Sequence, residues 1–246
     1  MDRLLYVSSV GLSNIEQAQT ARANNLANVS TNGFRADLAR VTSQEVVNDG
    51  FRTRVYAVNE GAGVDMSGGT QIETGSSLDV AINGDGLFSV LGPDQTESYT
   101  RNGAMQVDQF GRLLNANGFQ VLGEGGPVVL PPFESIQFGT DGSITIRPEG
   151  QGPEALVQID RLRLVNPAAA EVYKDEAGLL KNVAGGPFPQ APGVSVVPGF
   201  VESSNVNAVH ELTEIISLAR QFELEVKMMK VAESNDETSS QLLRIG

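Results

Sequence analysis

The chain has 246 residues and no cysteine, which excludes disulfides, thiolate metal sites and a cysteine nucleophile. Its net charge of −13 repels polyanions, so nucleic acid is not expected as a partner. One histidine, no tryptophan, 6% aromatic residues and 27 glycines describe an elongated, turn-rich chain more than a single large core. The charge is uneven. Residues 1–60 hold six acids and six bases, residues 205–246 hold seven acids and four bases, and the middle carries −10. Near-neutral ends suit self-association, and an acidic middle suits solvent.

The first element expected is a helix from about residue 3 to residue 28. Leu5, Leu12, Gln19 and Leu26 recur every seven residues, and Ser8, Ile15, Arg22 and Val29 follow each by three. This is a heptad seam with polar interruptions. Ala18, Ala21, Ala23 and Ala27 keep its surface low, so another helix can approach. The seam breaks off in Asn24-Asn25-Leu26-Ala27-Asn28-Val29-Ser30-Thr31-Asn32-Gly33-Phe34, where Gly33 suits a turn with positive φ. Residues 35–77 are polar and glycine-rich, with weak strand character from Arg52 to Val58, and read as an extended bridge.

Residues 78–184 read as an antiparallel β domain of short strands, the longest alternating run being Ala155 to Val165. Asn102-Gly103, Asn117-Gly118 and Asp141-Gly142 are expected as hairpin turns. Residues 185–204, with Pro187, Pro189, Pro192 and Pro198, form an irregular return path. From residue 205 a second heptad seam runs through Ala208, Leu212, Ile215, Ala219, Phe222, Val226 and Met229. It fades through Glu233, Asp236 and Ser240 and returns at Leu243. Neither helix has anywhere to bury a seam by itself. The fold class expected is α+β: helices in 1–34 and 205–246 paired as a coiled-coil-like core domain, with the β domain inserted between them. Two ordinary surface helices on a globular core remain the alternative on pattern alone.

Candidate chemistry is thin. His210 is the lone histidine, beside the C-terminal seam, and with no cysteine it cannot assemble the usual zinc set. Asp85, Asp94, Asp108 and Asp141 could pair as carboxylates of a cell-wall glycan hydrolase. Asp85, Asp94 and Asp141, however, adjoin Gly86, Pro93 and Gly142, and turn chemistry accounts for them. No catalytic, cofactor or metal residue is expected. No segment approaches a membrane span, and the apolar run Leu4-Leu5-Tyr6-Val7 is too short for a cleaved signal peptide.

The string Asn25-Leu26-Ala27-Asn28-Val29-Ser30-Thr31-Asn32-Gly33-Phe34 resembles the N-terminal signature of the bacterial flagellar basal-body rod and hook proteins. Gly63-Val64-Asp65-Met66, Leu78-Asp79-Val80-Ala81, Tyr99-Thr100-Arg101-Asn102-Gly103 and Ser204-Asn205-Val206-Asn207-Ala208-Val209 extend the resemblance through the chain. The shortness of residues 35–60 points to a proximal rather than a distal rod subunit. The resemblance implies a non-enzymatic axial subunit of a hollow helical drive shaft. Its partners would be further copies, other rod proteins and the flagellar export apparatus, with no small-molecule substrate. It would reside in the basal body across the periplasm, exported without a cleaved signal peptide. The signature residues would be Asn25, Leu26, Asn28, Thr31, Gly33 and Phe34. The subunit contacts would be Leu5, Leu12, Ile15, Leu26, Val29, Leu212, Ile215, Ala219, Phe222, Val226 and Met229. A binding module with a helical dimerisation arm is a further reading, and would give a closed dimer.

Overall fold

The structure, a computed structural model, describes residues 2–45, 55–152 and 155–245, with side chains over 8–38, 63–152, 155–235 and at 238. The fold is α+β. Helix α1 spans Asp2–Ala27 and helix α2 spans Ala208–Ile245, and the paired strands between them run antiparallel. The chain separates into two units. One holds Met1–Ala27, Asp37–Gly63 and Asn207–Gly246; the other holds Asn28–Ala36 and Val64–Val206.

In the helical unit, Arg22 Nη1 lies 3.1 Å from Glu211 Oε1, and Gly11 lies against the Glu225 carboxylate. Moving up α1 from Gly11 to Arg22 moves the contact back down α2 from Glu225 to Glu211, so the two helices run antiparallel. The less exposed line on α1 passes through Ser8, Leu12, Ile15, Gln19, Arg22 and Leu26, along the heptad seam. On α2 the corresponding line is Glu211, Ile215, Leu218, Glu225, Met229 and Ala232. Ala208, Ile215, Ala219, Val226 and Met229 of the expected seam lie on this less exposed side, and Leu212 and Phe222 are exposed. Glu211 is drawn inward by Arg22, and Leu212 is left 50% exposed. Helix α1 ends at Ala27, so Val29 lies beyond it. The side chain of Leu5 lies outside those described.

The start of α2 is fixed by Asn207, whose Oδ1 accepts the N–H groups of Val209 at 3.0 Å and His210 at 3.2 Å. A side-chain acceptor there satisfies amides that have no partner inside the helix. Strands Asp37–Glu45 and Val55–Val64 pair as a two-stranded ribbon within the stretch expected as an extended bridge.

The β unit is built on a nine-stranded sheet. Its main path runs Val172–Lys174, Leu180–Asn182, Glu97–Thr100, Leu87–Leu91, Gln120–Gly123, Leu113–Asn115 and Met105–Val107. A three-stranded sheet, Phe133–Phe138, Ser143–Pro148 and Val157–Arg161, shares its core. Two short pairs complete the unit: Val80–Asn83 with Ser195–Pro198, and Gln71–Glu73 with Phe200–Glu202. The core comprises Ile82, Phe88, Leu113, Ile136, Ile144, Ile146, Leu162 and Val196 with their neighbours. Full burial of each such aliphatic side chain contributes about 1.5–3 kcal/mol.

Asn117-Gly118 and Asp141-Gly142 form the expected turns, with Gly118 at φ +85° and Gly142 at φ +83°. Asn102-Gly103 does not join a hairpin, because Glu97–Thr100 and Met105–Val107 are not paired. It is a buried connection in which Asn102 Nδ2 donates to Asn117 Oδ1 at 2.7 Å. The alternating run from Ala155 to Val165 is also not one strand. Val157–Arg161 stays in the three-stranded sheet and Leu164–Val165 pairs with Leu87–Leu91. The change of sheet falls at Leu162-Arg163, where the Arg163 guanidinium turns to Glu97 at 2.8 Å.

Tyr99 stacks on Phe188 at 5.1 Å between ring centroids and accepts the Phe188 N–H at 2.8 Å. Burial pushes its hydroxyl up to about 12, from an ordinary value of 10.0. The neutral tyrosine therefore stabilises the fold fully below pH ~10, and this contribution falls as the pH climbs through ~12. Urea unfolding followed against pH should show that decline in the parent chain, and Tyr99→Phe should lack this component of it.

Candidate assembly site at the signature turn

Past Ala27 the chain makes two tight turns. Thr31 N–H donates to Asn28 O at 3.1 Å and Phe34 N–H to Thr31 O at 3.2 Å, while Thr31 Oγ1 bonds Asn28 Oδ1 at 3.1 Å. Gly33 sits at φ +69°, and a Cβ there would overlap the backbone of Arg101 and Asn102. Only glycine meets both demands. Its N–H donates to Glu202 O at 2.8 Å. Phe34 lies under the Lys174 ammonium, 4.0 Å from the ring centroid, and the same Nζ donates to Arg35 O at 2.6 Å.

Asn205 closes the turn from the other side. Its N–H donates to Phe34 O at 3.3 Å, its Oδ1 accepts Ala36 N–H at 2.8 Å, and its Nδ2 donates to Asp65 O at 3.0 Å. The turn that follows α1 and the segment that precedes α2 are thus bonded to one another inside the β unit.

Beneath this lies a buried ionic cluster. Glu202 Oε1 is 2.8 Å from Arg35 Nη1, and its Oε2 is 2.5 Å from Arg101 Nε. The three side chains are 2, 4 and 3% exposed respectively. Glu202 Oε1 also accepts Gly69 N–H at 2.8 Å, and Arg35 Nη1 donates to Ser67 O at 2.6 Å. Arg101 donates to the carbonyls of Ile82, Gly84 and Gly86. Burial lowers the pKa of Arg35, against the opposing pull of Glu202. Desolvating three charges is costly, and these partners offset it for all but Arg35 Nε, which is buried without a hydrogen bond.

The other signature asparagines work in the helical unit. Asn25, fully buried, bonds both backbone groups of Asp37: Oδ1 accepts the N–H at 2.7 Å and Nδ2 donates to the carbonyl at 3.0 Å. Asn24 Nδ2 reaches Asp37 Oδ2 at 2.7 Å. Leu26 is half-buried. The sequence singled out Asn25, Asn28, Thr31, Gly33 and Phe34, and the structure gives each a specific contact. Arg35, Glu202 and Lys174 were not singled out. Arg101 and Asn205 stood only inside longer resembling strings, since a pairing across such sequence distances leaves no local pattern.

Asp94, Asp108 and Asp141 are shifted down, opposite to the raised carboxyl of a general acid. A hydrogen bond from Lys181 holds Asp94 down at about 2. Modest desolvation pushes Asp108 up, but bonds from Arg112 and Phe110 outweigh it, and Asp108 is lowered. Bonds from Ser143 lower Asp141. Asp85 is exposed. His210 is exposed in the first turn of α2. Among the described residues no helix is long and apolar enough to cross a membrane.

Residues 197–242 match the family model for the flagellar basal body rod FlgEFG protein C-terminal region, and residues 81–151 match that for the flagellar hook protein FlgE/F/G D1 domain. The chain is 35% identical over 249 residues to the flagellar basal-body rod protein FlgF of Escherichia coli, covering 99% of each. The chain belongs to the FlgE/F/G family of flagellar basal-body rod proteins. It is also 34% identical to FlgF of Salmonella typhimurium, again with 99% of each covered. It is 31% identical to the rod protein FlgG of a Buchnera aphidicola strain, over 97% of this chain and 98% of that one. In this chain the contacts that clamp the signature turn give the signature a physical meaning: glycine for close approach, asparagines for reading backbone, and an arginine at the next position to anchor the turn in the β unit.

Glu202→Gln leaves two buried guanidiniums without their carboxylate and should destabilise the β unit by about 3–5 kcal/mol in urea titration. Arg35→Met with Glu202→Gln should lose less than the sum of the two single changes, because the groups share one network.

Proposed function

We propose that this chain is a structural axial subunit of the proximal flagellar rod, assembling through α1 and α2 as a coiled-coil-like core into a hollow helical shaft. The observation that carries the proposal is a second set of apolar residues on α2, exposed among Arg220, Glu223 and Lys227. Val209, Leu212, Ile216, Leu224 and Val231 are all exposed, from 47 to 73%, on the side away from Glu211 and Glu225. A helix apolar on two sides has more to bury than one partner helix can cover. The rod names of the relatives support the assignment, and so does the near-neutral charge of the two ends.

In this reading Leu5, Leu12, Ile15, Leu26, Ile215, Ala219, Val226 and Met229 serve the helix pair and its close neighbours. Leu212 and Phe222 reach further copies, and Val29 lies at the junction with the signature turn. Domain boundaries follow the same logic: 1–34 and 205–246 for the core, 35–77 and 185–204 as connections, 78–184 as the outer body. The subunit's partners are its own copies, other rod proteins and the export apparatus. It needs no cofactor, and it works in the basal body across the periplasm. The short 35–60 segment favours the proximal over the distal rod.

Leu212→Asp places a charge within this exposed set. It should abolish assembly, read as loss of sedimenting polymer and of motility in a complemented strain. The melting of the β unit should be unchanged. Motile cells carrying this variant at normal levels would remove α2 from the assembly surface.

A further inference from the structure

Four asparagines in this chain precede glycine: Asn32, Asn83, Asn102 and Asn117. In such a pair the glycine nitrogen, unhindered by a side chain, can attack the asparagine amide, provided that both groups are free to meet. Three pairs are held. Gly33 N–H is bonded to Glu202 O at 2.8 Å, and Gly118 N–H to Asn115 O at 2.9 Å. Asn102 is buried with its amide fixed at both ends, Nδ2 to Asn117 Oδ1 at 2.7 Å and Oδ1 from Ala104 N–H at 3.1 Å.

Asn83 differs on every count. It is exposed, and its Nδ2 has only a long 3.4 Å contact with Ser195 Oγ. Gly84 follows at φ +77° with open space where a Cβ would be, and its N–H has no hydrogen-bond partner among the described residues. The geometry points to Asn83 as a site of spontaneous covalent modification, a deamidation that marks the age of the folded chain. The Gly84 nitrogen loses its proton to solvent base and attacks Asn83 Cγ. The bond from Cγ to the amide nitrogen breaks and ammonia leaves with a returned proton, giving a five-membered succinimide. Water adds to either imide carbonyl and opens the ring to aspartate or isoaspartate. The balance is one asparagine and one water to one aspartyl residue and one ammonia, with no oxidant or reductant.

The position gives the modification a consequence. Arg101 Nη2 donates to the carbonyls of both Ile82 and Gly84, the two residues flanking Asn83. Isoaspartate inserts a methylene between those carbonyls, and either product adds a negative charge beside Asp85. The anchor of Arg101, and through it Glu202 and the signature turn, is therefore strained by ageing at this one bond.

Arginines at 22, 35, 54, 101, 112 and 161 place the four pairs on separate tryptic peptides, 23–35, 55–101, 102–112 and 113–161, Arg147 being protected from cleavage by Pro148. The full chain would be held warm at mildly alkaline pH, folded or in denaturant, and then digested and weighed. In the folded chain, peptide 55–101 should gain one mass unit, localised to Asn83 by fragmentation, while the other three stay unchanged. In denaturant all four should convert. Folded protein in which Asn83 is unchanged, or in which the four convert alike, would overturn the assignment. The converted chain should melt at a lower temperature than fresh chain, and Asn83→Gln should neither convert nor lose melting temperature. Full conversion with unchanged melting would overturn the link to the clamp.

Discussion

The signature turn and the loops around it are organised by one buried carboxylate. Glu202 stands between two guanidiniums, with every bond contained in the β unit. Two cations buried around one anion would be more unfavourable without the backbone carbonyls of Ser67, Ile82, Gly84 and Gly86, which accept further N–H groups and leave Arg35 Nε buried without a hydrogen bond. The cluster therefore works as a template as well as an ion pair. It fixes the Gly84–Gly86 turn, the 65–69 loop and the signature turn against the strand that carries Glu202. An apolar substitute of similar volume would fill the space without specifying which carbonyls meet.

The helices follow a different rule. Arg22 and Glu211 make a polar contact between them, and exposed apolar residues such as Val209, Leu212 and Leu224 stand among charged ones such as Arg220, Glu223 and Lys227. Non-directional burial tolerates repeated contacts between copies, whereas directional bonding fixes a single geometry. The chain uses directional bonding where one conformation of the turn must be held. It leaves non-directional surface where several neighbours could be met. The excess of apolar residues on α2 is the mark of this division.

The sequence made some of this legible. The heptad on α1, the hairpins at Asn117-Gly118 and Asp141-Gly142, and most strand positions follow from local periodicity and turn chemistry, which act over a few residues. The inward position of Glu211 could not be read, because its partner is Arg22, nearly two hundred residues away. The same holds for the break at Leu162-Arg163: alternation continues through it, and the partners met there, Glu97 for the Arg163 side chain and Leu122 O for its N–H, are distant in sequence. Asn102-Gly103 carried the composition of a hairpin turn but is buried, and its amide is engaged with Asn117. Local rules describe which residues can turn, and long-range partners decide whether they do.

The signature string shows both kinds of information in ten residues. Gly33 could be read as a positive-φ position from sequence, and it is one, but its closest constraint is the backbone of Arg101 and Asn102. Asn25 could be read as a helix terminator, yet it is buried and bonds both backbone groups of Asp37. Short polar side chains favour loop conformations by bonding nearby backbone, and the same property lets them recognise backbone from a distant segment. A motif that looks like a simple helix end is here a set of contacts to main chain, made by small side chains that leave no room for larger ones.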